Sequence, residues 1–291
     1  MYEENLKKDL NREFELNLEK QKLDEVLKEI NVQILDYINI RKQIVNSIHD
    51  LREKNLEQYR DDEDQYVEYF SHEMYAREEQ YRLVNKNIRE LSILKSSPYF
   101  GKIEFKDSYG KESIYIGRFG MTARKDYEPI VIDWRSPVCA LFYEGKLGTL
   151  KYQSPGGEIE AEVLSKRQFI IKKSTLLGMF DSNLDVKDEI LQMVLSKNAG
   201  EKLKDIVMTI QKEQDNIIRQ PRKGAVVVNG VAGSGKTTIA LHRVAYLLYN
   251  YRKILQEKVL ILGPNSIFID YISRVLKKRL FRQLLQNFLA A

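Results

Sequence analysis

The chain has 291 residues, 43% of them hydrophobic and 31% charged, and carries a formal net charge of +5. This length leaves room for two or three domains, and no apolar run approaches the roughly 18 residues that a membrane span requires. The polar amino terminus MYEENLKKDLNREFE argues against a secretory signal. A single cysteine, Cys139, cannot form an internal disulfide. We therefore expect a cytoplasmic protein with no role at a membrane.

Residues 1–97 contain neither proline nor glycine, and their apolar side chains recur every three or four positions. This period is typical of a helix with one apolar stripe, close to a coiled-coil heptad. The first stripe runs through Leu23, Leu27, Ile30, Ile34, Tyr37, Ile44, Ile48 and Leu51, and the second through Tyr81, Val84, Ile88, Leu91 and Leu94.

The two stripes are separated by the acidic stretch YRDDEDQY, residues 59–66. Because a narrow apolar stripe must be buried against a partner, we expect the chain to fold back here. The prediction is an antiparallel coiled-coil arm over residues 1–97, with roughly 35 residues in each helix, about 50 Å at 1.5 Å per residue. The side chains at its tip would be Asp61, Asp62, Glu63 and Asp64.

Residues 98–180 change period. Pro98 ends the helical pattern, because proline cannot continue a helical hydrogen-bond ladder. Short runs rich in β-branched and aromatic residues follow, separated by turn sequences such as DSYG and SPGGE. They are KIEFKD, ESIYIGRFG, EPIVIDWRSPV, CALFYEG, GTLKYQ and EIEAEVLSKRQFIIKK. We predict a small antiparallel sheet or partly closed barrel, with Trp134 in its core and no chemistry assigned to it.

Residues 181–291 first return to helical patterning and then alternate strand and helix signals. GAVVVNG and KVLILG read as buried strands, and TTIALHRVAYLLYNY and SIFIDYISRVLKKRLFRQLL as helices. This alternation predicts the start of a parallel α/β domain. The whole chain is therefore expected to be a multidomain α+β protein: a helical arm, a β-rich segment and a helical lead-in to an α/β motor domain.

The sequence GVAGSGKTT, residues 230–238, fits the Walker A pattern G-x-x-x-x-G-K-[ST] of P-loop proteins. Glycines allow successive backbone N–H groups to face phosphate oxygens, and the following helix adds its positive end. Lys236 is expected to neutralise the β- and γ-phosphates of ATP, and Thr237 to bind Mg²⁺. The predicted nucleotide ligands in this loop are Gly230, Gly233, Ser234, Gly235, Lys236, Thr237 and Thr238.

Gln214, sixteen residues before Gly230, resembles the glutamine motif of superfamily 1 helicases of the UvrD/Rep type. The resemblance implies that Gln214 reads the adenine edge of ATP; an exposed helical glutamine is the alternative. KVLILGPNSIFIDYI resembles the next helicase segment, whose loop, residues 263–266 here, can touch single-stranded DNA; a plain strand-to-helix turn is the alternative. Residues 201–291 carry 16 Lys or Arg against 6 Asp or Glu, which suits DNA binding.

ATP hydrolysis in this class needs an acidic pair on a later strand. The acids after Lys236 are Glu257 and Asp270, and they form no such pair. We therefore expect a fragment of a longer ATPase, truncated within the motor domain. Lys236 and Thr237 would supply catalytic groups in the complete enzyme, while the fragment alone would be inactive.

Taken together, DWRSPVCALFYEG and GVAGSGKTTIALHRVAYLLY resemble HelD, a family of UvrD-like, helicase-like ATPases associated with RNA polymerase in Gram-positive bacteria. The resemblance covers essentially the whole chain. It implies a RecA-like motor that uses ATP to release RNA polymerase from nucleic acid during transcription recycling. It also implies a coiled-coil arm that enters the secondary channel of the polymerase, where the four tip acids could approach the active-site magnesium; a solvated hairpin tip is the alternative.

Two other functions stay open from the sequence. One is a UvrD/Rep-type DNA helicase that translocates on single strands. The other is an interaction module that binds ATP without hydrolysing it. The roughly 200 residues before the glutamine motif favour the polymerase-associated family, because ordinary Rep-like helicases begin near that motif. We also expect a monomer, because a long arm suited to insertion into a groove of a partner protein does not require self-assembly.

Overall fold

The computed structural model describes residues 2–58, 67–144, 147–181, 212–231, 233–255 and 258–262. The chain divides into two compact units. Unit 1 comprises Met1–Trp134 and Lys146–Thr209, and unit 2 comprises Arg135–Gly145 and Ile210–Ala291. Eleven residues of the predicted β-rich segment therefore belong to unit 2.

Unit 1 begins with two long helices, α1 (Tyr2–Gln58) and α2 (Val67–Ser96). They pack antiparallel, since Arg41 Nη1 donates to Asn85 Oδ1 at 3.4 Å while residues nearer the start of α1 share a core with the end of α2. Six residues of the predicted stripes are buried: Leu23, Ile30, Ile44, Val84, Leu91 and Leu94. The prediction that Tyr81 belongs to a buried stripe is wrong, because its side chain is exposed. A coiled-coil geometry for the pair stays a prediction.

Helix α1 is longer than the predicted arm of about 35 residues. It extends through 57 residues because its first half packs against the sheet. Glu19, only 4% exposed, accepts hydrogen bonds from Lys102 Nζ at 3.0 Å and Tyr115 Oη at 2.9 Å. Arg167 reaches the same carboxylate at 3.4 Å and also pairs with Asp181. These contacts fix the base of the arm to three strands.

The sheet of unit 1 has seven strands in the order β3-β4-β2-β1-β6-β5, with β7 also pairing with β6. Their bounds are β1 Gly101–Asp107, β2 Gly110–Gly117, β3 Met121–Thr122, β4 Pro129–Asp133, β5 Gly148–Ser154, β6 Gly157–Lys172 and β7 Thr175–Asp181. β2 and β4 are parallel. The sheet is therefore mixed, and the prediction of an antiparallel sheet is wrong at this pair, because the chain crosses over through β3 before it reaches β4.

The core of unit 1 lies between the two helices and one face of the sheet. Its helical members are Leu23, Val26, Ile30, Leu91 and Leu94, and its other members include Tyr99, Phe119, Met121, Val131, Phe169, Ile171 and Met179. Phe169 is fully buried at the edge of the Tyr99 ring, with ring centroids 5.2 Å apart. Trp134 is buried too, which confirms its predicted place in a core.

Unit 2 contains a 3₁₀ turn (Pro137–Cys139) followed by α3 (Ala140–Tyr143), then α4 (Lys212–Arg219), α5 (Lys236–Asn250) and α6 (Arg252–Leu255). The prediction of CALFYEG as a strand is wrong. Pro137 stands in the first helical turn after Ser136, a position that favours proline. Leu141, Phe142 and Tyr143 are then buried on this short helical segment.

The predicted buried strand GAVVVNG is also wrong in the described structure. Residues 224–230 belong to no strand, and Val227 is 89% exposed. Residues 258–262 of KVLILG show no strand either, and Leu262 is exposed. A parallel strand is buried only where other strands and helices cover it, and in the described part of unit 2 no strand pairs with these segments.

Candidate nucleotide site

The loop between residues 229 and 235 has the backbone shape that its glycines were expected to allow. Gly233 and Gly235 have φ angles of +82° and +85°, which side chains other than glycine rarely adopt. A Cβ at Gly230 would lie 2.7 Å from Ser234 Oγ, so a larger residue there would require the Ser234 side chain to move. Ser234 N donates to Val231 O at 3.2 Å, which closes the turn.

Lys236 folds its side chain back over this loop. Its Nζ donates to Gly230 O and Val231 O, each at 2.7 Å. The ammonium group is thus held above the loop by main-chain carbonyls. The two hydrogen bonds to loop carbonyls keep the positive charge of Lys236 at the loop. An anion that binds the loop would therefore lie close to this charge.

Helix α5 begins at Lys236, directly after the loop. Gly235 is its N-cap, and within the described residues no side chain caps this end. The first N–H groups of an uncapped helix, together with the helix dipole, favour an anion. Thr237 is exposed and Thr238 half-buried in the first turn.

These features fit the phosphates of a nucleotide. The Thr237 hydroxyl offers a hard oxygen ligand of the kind that Mg²⁺ prefers. The loop and the first turn of α5 contain Gly230, Gly233, Ser234, Gly235, Lys236, Thr237 and Thr238, and their role as nucleotide ligands stays a prediction.

Gln214 lies in the first turn of α4, half-buried. The next residue, Asp215, is 5% exposed and receives Arg219 Nε on both carboxylate oxygens at 2.9 Å. Burial raises the pKa of the Asp215 carboxyl, and the positive charge of Arg219 opposes that rise. This three-centre, charge-assisted hydrogen bond from one N–H spans one turn of α4 and stiffens the segment that carries Gln214.

Arg243, on α5, holds the other end of α4. Its guanidinium donates to Ile217 O and Ile218 O at 3.1 Å and to Gln220 O at 2.9 Å. A further bond reaches Pro221 O at 3.0 Å. The last carbonyl groups of a helix have no hydrogen-bond donors within the helix. Arg243 supplies donors for these groups at the end of α4. Burial lowers the pKa of the Arg243 guanidinium.

Residues 135–145, which we call the inserted segment, support α4 from another side. Arg219 Nη1 donates to Ser136 O at 3.1 Å, and its guanidinium lies 5.7 Å from the Tyr143 ring and 5.2 Å from the Tyr246 ring. Glu144 pairs with Lys212 at 2.6 Å. Both ends of α4 are thereby tied to the inserted segment.

The inserted segment also contacts α5 near its end. Asn250 Nδ2 donates to Arg135 O at 3.3 Å, and the Arg135 guanidinium lies over the Tyr249 ring at 4.7 Å. The sequence predicted the loop and Gln214 as site residues, and it gave no prediction for Arg219, Arg243 or Glu144. For Arg243 the sequence did contain a signal. This arginine lies in the apolar run IALHRVAYLLY, and an arginine is rarely buried unless its charge has partners.

Two predicted sites fall outside the described residues. They are the acidic tip, Asp61, Asp62, Glu63 and Asp64, and the possible DNA-contacting loop at residues 263–266. Within the ranges that the structure describes, no helix is both long and apolar enough to cross a lipid bilayer.

Comparison with known families gives two matches that divide the chain. The family model described as DNA helicase IV HelD, N-terminal domain, matches residues 17–196, more than half of the chain. The model described as UvrD/REP helicase N-terminal domain matches residues 210–266, which include α4, the loop and α5. No curated protein aligns significantly with the chain.

Proposed function

The chain belongs to the HelD family, and from this premise we propose that it is the N-terminal part of an ATP-driven, helicase-like motor that releases RNA polymerase from nucleic acid. The observation that carries the proposal is the presence in one chain of a long helical pair and a glycine loop over which Lys236 folds back. The second match, to UvrD/REP helicases, supports an ATPase of the helicase type with ATP and Mg²⁺ as its cofactors.

The loop would bind ATP through its backbone and Lys236. The residues in contact with phosphate would be those of 230–238, with Thr237 on the magnesium ion and Gln214 on the adenine edge. When bound, Mg²⁺ neutralises phosphate charge, while Lys236 exchanges its two carbonyl partners for phosphate oxygens. Hydrolysis would use further groups of the motor domain.

The helical pair α1/α2 would be the part that contacts core RNA polymerase, by insertion of its far end into the secondary channel. We propose that it does so as a coiled-coil arm in a monomeric, cytoplasmic protein. The acidic tip, Asp61, Asp62, Glu63 and Asp64, would then approach the polymerase magnesium, since carboxylates are suitable ligands for that ion. The basic end of the sequence would contact single-stranded DNA.

The experiment that tests the arm shortens it without disturbing the core of unit 1. Residues 45–83 are replaced by a short glycine-serine turn, which keeps the buried residues Ile30, Ile44, Val84 and Leu91. The intact protein should co-elute with core RNA polymerase in gel filtration, and the shortened protein should not. ATP binding should be equal in the two proteins, which controls for folding.

A UvrD/Rep-type DNA helicase is the second candidate, favoured by the match over residues 210–266. An intact protein that unwinds duplex DNA and ignores polymerase would support this candidate and defeat the recycling proposal. An ATP-binding module without hydrolysis is the third. It is eliminated if the intact protein turns over ATP and Lys236→Ala abolishes the turnover.

The acidic tip has a separate test. Replacement of Asp61, Asp62, Glu63 and Asp64 by Asn or Gln should leave polymerase binding intact but slow the release of polymerase from DNA. A release rate equal to that of the unmodified protein would reduce these acids to ordinary surface residues.

A further inference from the structure

Helix α4 is held on three sides by groups that lie far from it in sequence. Glu144 of the inserted segment pairs with Lys212 at its start, and Ser136 of the same segment accepts from Arg219 at its end. Arg243 of α5 binds the carbonyls of Ile217, Ile218, Gln220 and Pro221. The position of α4 is therefore fixed by contacts with the inserted segment and α5, and not by its own sequence alone.

This support matters because helices in proteins owe most of their stability to tertiary packing. The described part of α4 spans the eight residues Lys212–Arg219. Removal of the contacts would leave the orientation of α4 undefined, and the side chains in its first turn with it. Gln214 is one of those side chains, between Lys212 and Asp215, both of which are ion-paired.

We propose that Arg243 and the inserted segment are positioning elements for base selection: they hold Gln214 where it recognises the adenine of a bound nucleotide. The inference rests on the proposed function, because it needs the loop to bind a nucleoside triphosphate. The other residues of this site lie in the region that the UvrD/REP helicase model matches. Residues 135–145 lie in the region that the HelD model matches, and the proposal gives them a part in the same site.

The proposal separates two contributions to nucleotide affinity. Lys236 and the loop backbone bind phosphates, whatever base is attached. Gln214 contributes only when a base is present, so its support should affect ATP and leave inorganic tripolyphosphate unaffected. Selectivity for ATP over tripolyphosphate thus measures the position of α4, while the affinity for tripolyphosphate measures the loop.

The test compares the affinities of the intact chain for Mg·ATP and Mg·tripolyphosphate by calorimetry. Unmodified protein should prefer ATP. Arg243→Met should weaken ATP binding about fivefold to tenfold, the size expected for the loss of charge-assisted hydrogen bonds, and change tripolyphosphate binding less than about twofold. Gln214→Ala should do the same. The double variant Arg243→Met with Gln214→Ala should bind ATP no more weakly than the weaker single variant, because both substitutions remove the same contact between Gln214 and adenine.

A second variant covers the case in which Arg243→Met fails to fold. Glu144→Lys reverses one charge of a partly exposed ion pair with Lys212 and leaves the buried faces of the helices unchanged. It should lower the ATP preference about twofold to threefold. The matched control is Arg222→Met, since Arg222 is an exposed arginine that lies over the Tyr251 ring; its ATP preference should equal that of unmodified protein.

Three results would overturn the positioning role. They are an equal loss of ATP and tripolyphosphate binding in Arg243→Met, an unchanged ATP preference in both Arg243→Met and Glu144→Lys, or an unmodified protein with no ATP preference. Failure of the proposed function itself gives a different pattern. In that case the unmodified protein binds neither ligand, or Lys236→Ala leaves both affinities unchanged.

Discussion

The base of the arm and the glycine loop hold their charged side chains in opposite ways. At the base of α1, the buried Glu19 carboxylate receives bonds from Lys102, Tyr115 and Arg167, so side chain meets side chain above a continuous core. In the loop, Lys236 bonds only to main-chain carbonyls in the contacts described for it, and Val231 beside it is 78% exposed.

The difference indicates two kinds of task. A buried charge network is costly to break, so it suits a joint that must keep its geometry. Bonds to loop carbonyls are easily exchanged for bonds to an arriving anion, so they suit a site that is completed by its ligand. Variants in the first region should therefore change stability, and variants in the second should change binding.

The largest effect is expected in the core beneath the arm. Phe169→Ala removes a fully buried ring that contacts Tyr99, and should lower the free energy of unfolding by about 4 kcal/mol. Urea denaturation followed by the fluorescence of Trp134, the one tryptophan, measures it. Leu177→Ala, at a 57% exposed position of β7, should cost less than about 1 kcal/mol. Equal losses would contradict the assigned core.

Glu19→Gln should have the next largest effect. The change leaves Lys102 and Arg167 without the buried negative charge between them, and we expect a loss of about 3 kcal/mol in the same denaturation experiment. Glu25→Gln is the matched control, since Glu25 pairs with Lys22 on the exposed face of α1. It should cost less than about 0.5 kcal/mol. A loss below 1 kcal/mol for Glu19→Gln would show that the junction does not depend on this charge.

Gly235→Ala and Gly110→Ala compare the two regions directly. Both glycines have positive φ angles, +85° and +134°, and both have open space where a Cβ would be placed. Each substitution should cost about 1 kcal/mol of stability through backbone strain. Only Gly235→Ala should also weaken ATP binding, by about tenfold or more in calorimetry. A similar loss of ATP affinity in Gly110→Ala would remove the distinction.

A further effect is expected only at alkaline pH and is absent at neutral pH. Burial, followed by the charge of Glu19 and the hydrogen bond to it, raises the pKa of Tyr115 above its usual value. The unfolded chain ionises this tyrosine near pH 10, so its contribution to stability is complete below pH 10 and is lost as the pH rises further. The loss should total about 1.4 kcal/mol between pH 9 and pH 11, with most of it above pH 10.

Tyr115→Phe removes this contribution. The urea midpoint should therefore fall less between pH 9 and pH 11 in the variant than in the unmodified protein. Tyr109→Phe, at an 82% exposed position of unit 1, is the control and should keep the original slope. Identical slopes for all three proteins would show that Tyr115 ionises equally in the folded and unfolded chain.

Local patterns were sufficient to predict most of unit 1. The absence of proline and glycine before Pro98 predicted α1 and α2, and the spacing of Ile30, Ile44 and Leu91 identified buried positions. Alternating residues and turn glycines predicted five of the strands. The parallel β2–β4 pair could not be predicted in this way, because strand order depends on contacts between distant segments.

Unit 2 was harder to predict for a physical reason. CALFYEG has five consecutive apolar residues without a clear period. Its helical form depends on packing within unit 2, whose other residues begin at Ile210. The Ser136–Pro137 start was a local signal for a helix that the strand-rich surroundings obscured. The loop at 230–238 was found because its motif is local, whereas the roles of Arg219 and Arg243 emerge only in three dimensions.

The inserted segment has a consequence for how such a protein can be dissected or rearranged. The chain leaves unit 1 after Trp134 and returns to it at Lys146, so neither unit is one contiguous stretch of gene. A single cut cannot release an intact half: a piece beginning at residue 146 lacks Glu144, which pairs with Lys212, and Ser136, which accepts a hydrogen bond from Arg219. An exchange of unit 2 between two such proteins would therefore have to include the eleven codons for residues 135–145 as well as those from residue 210 onward.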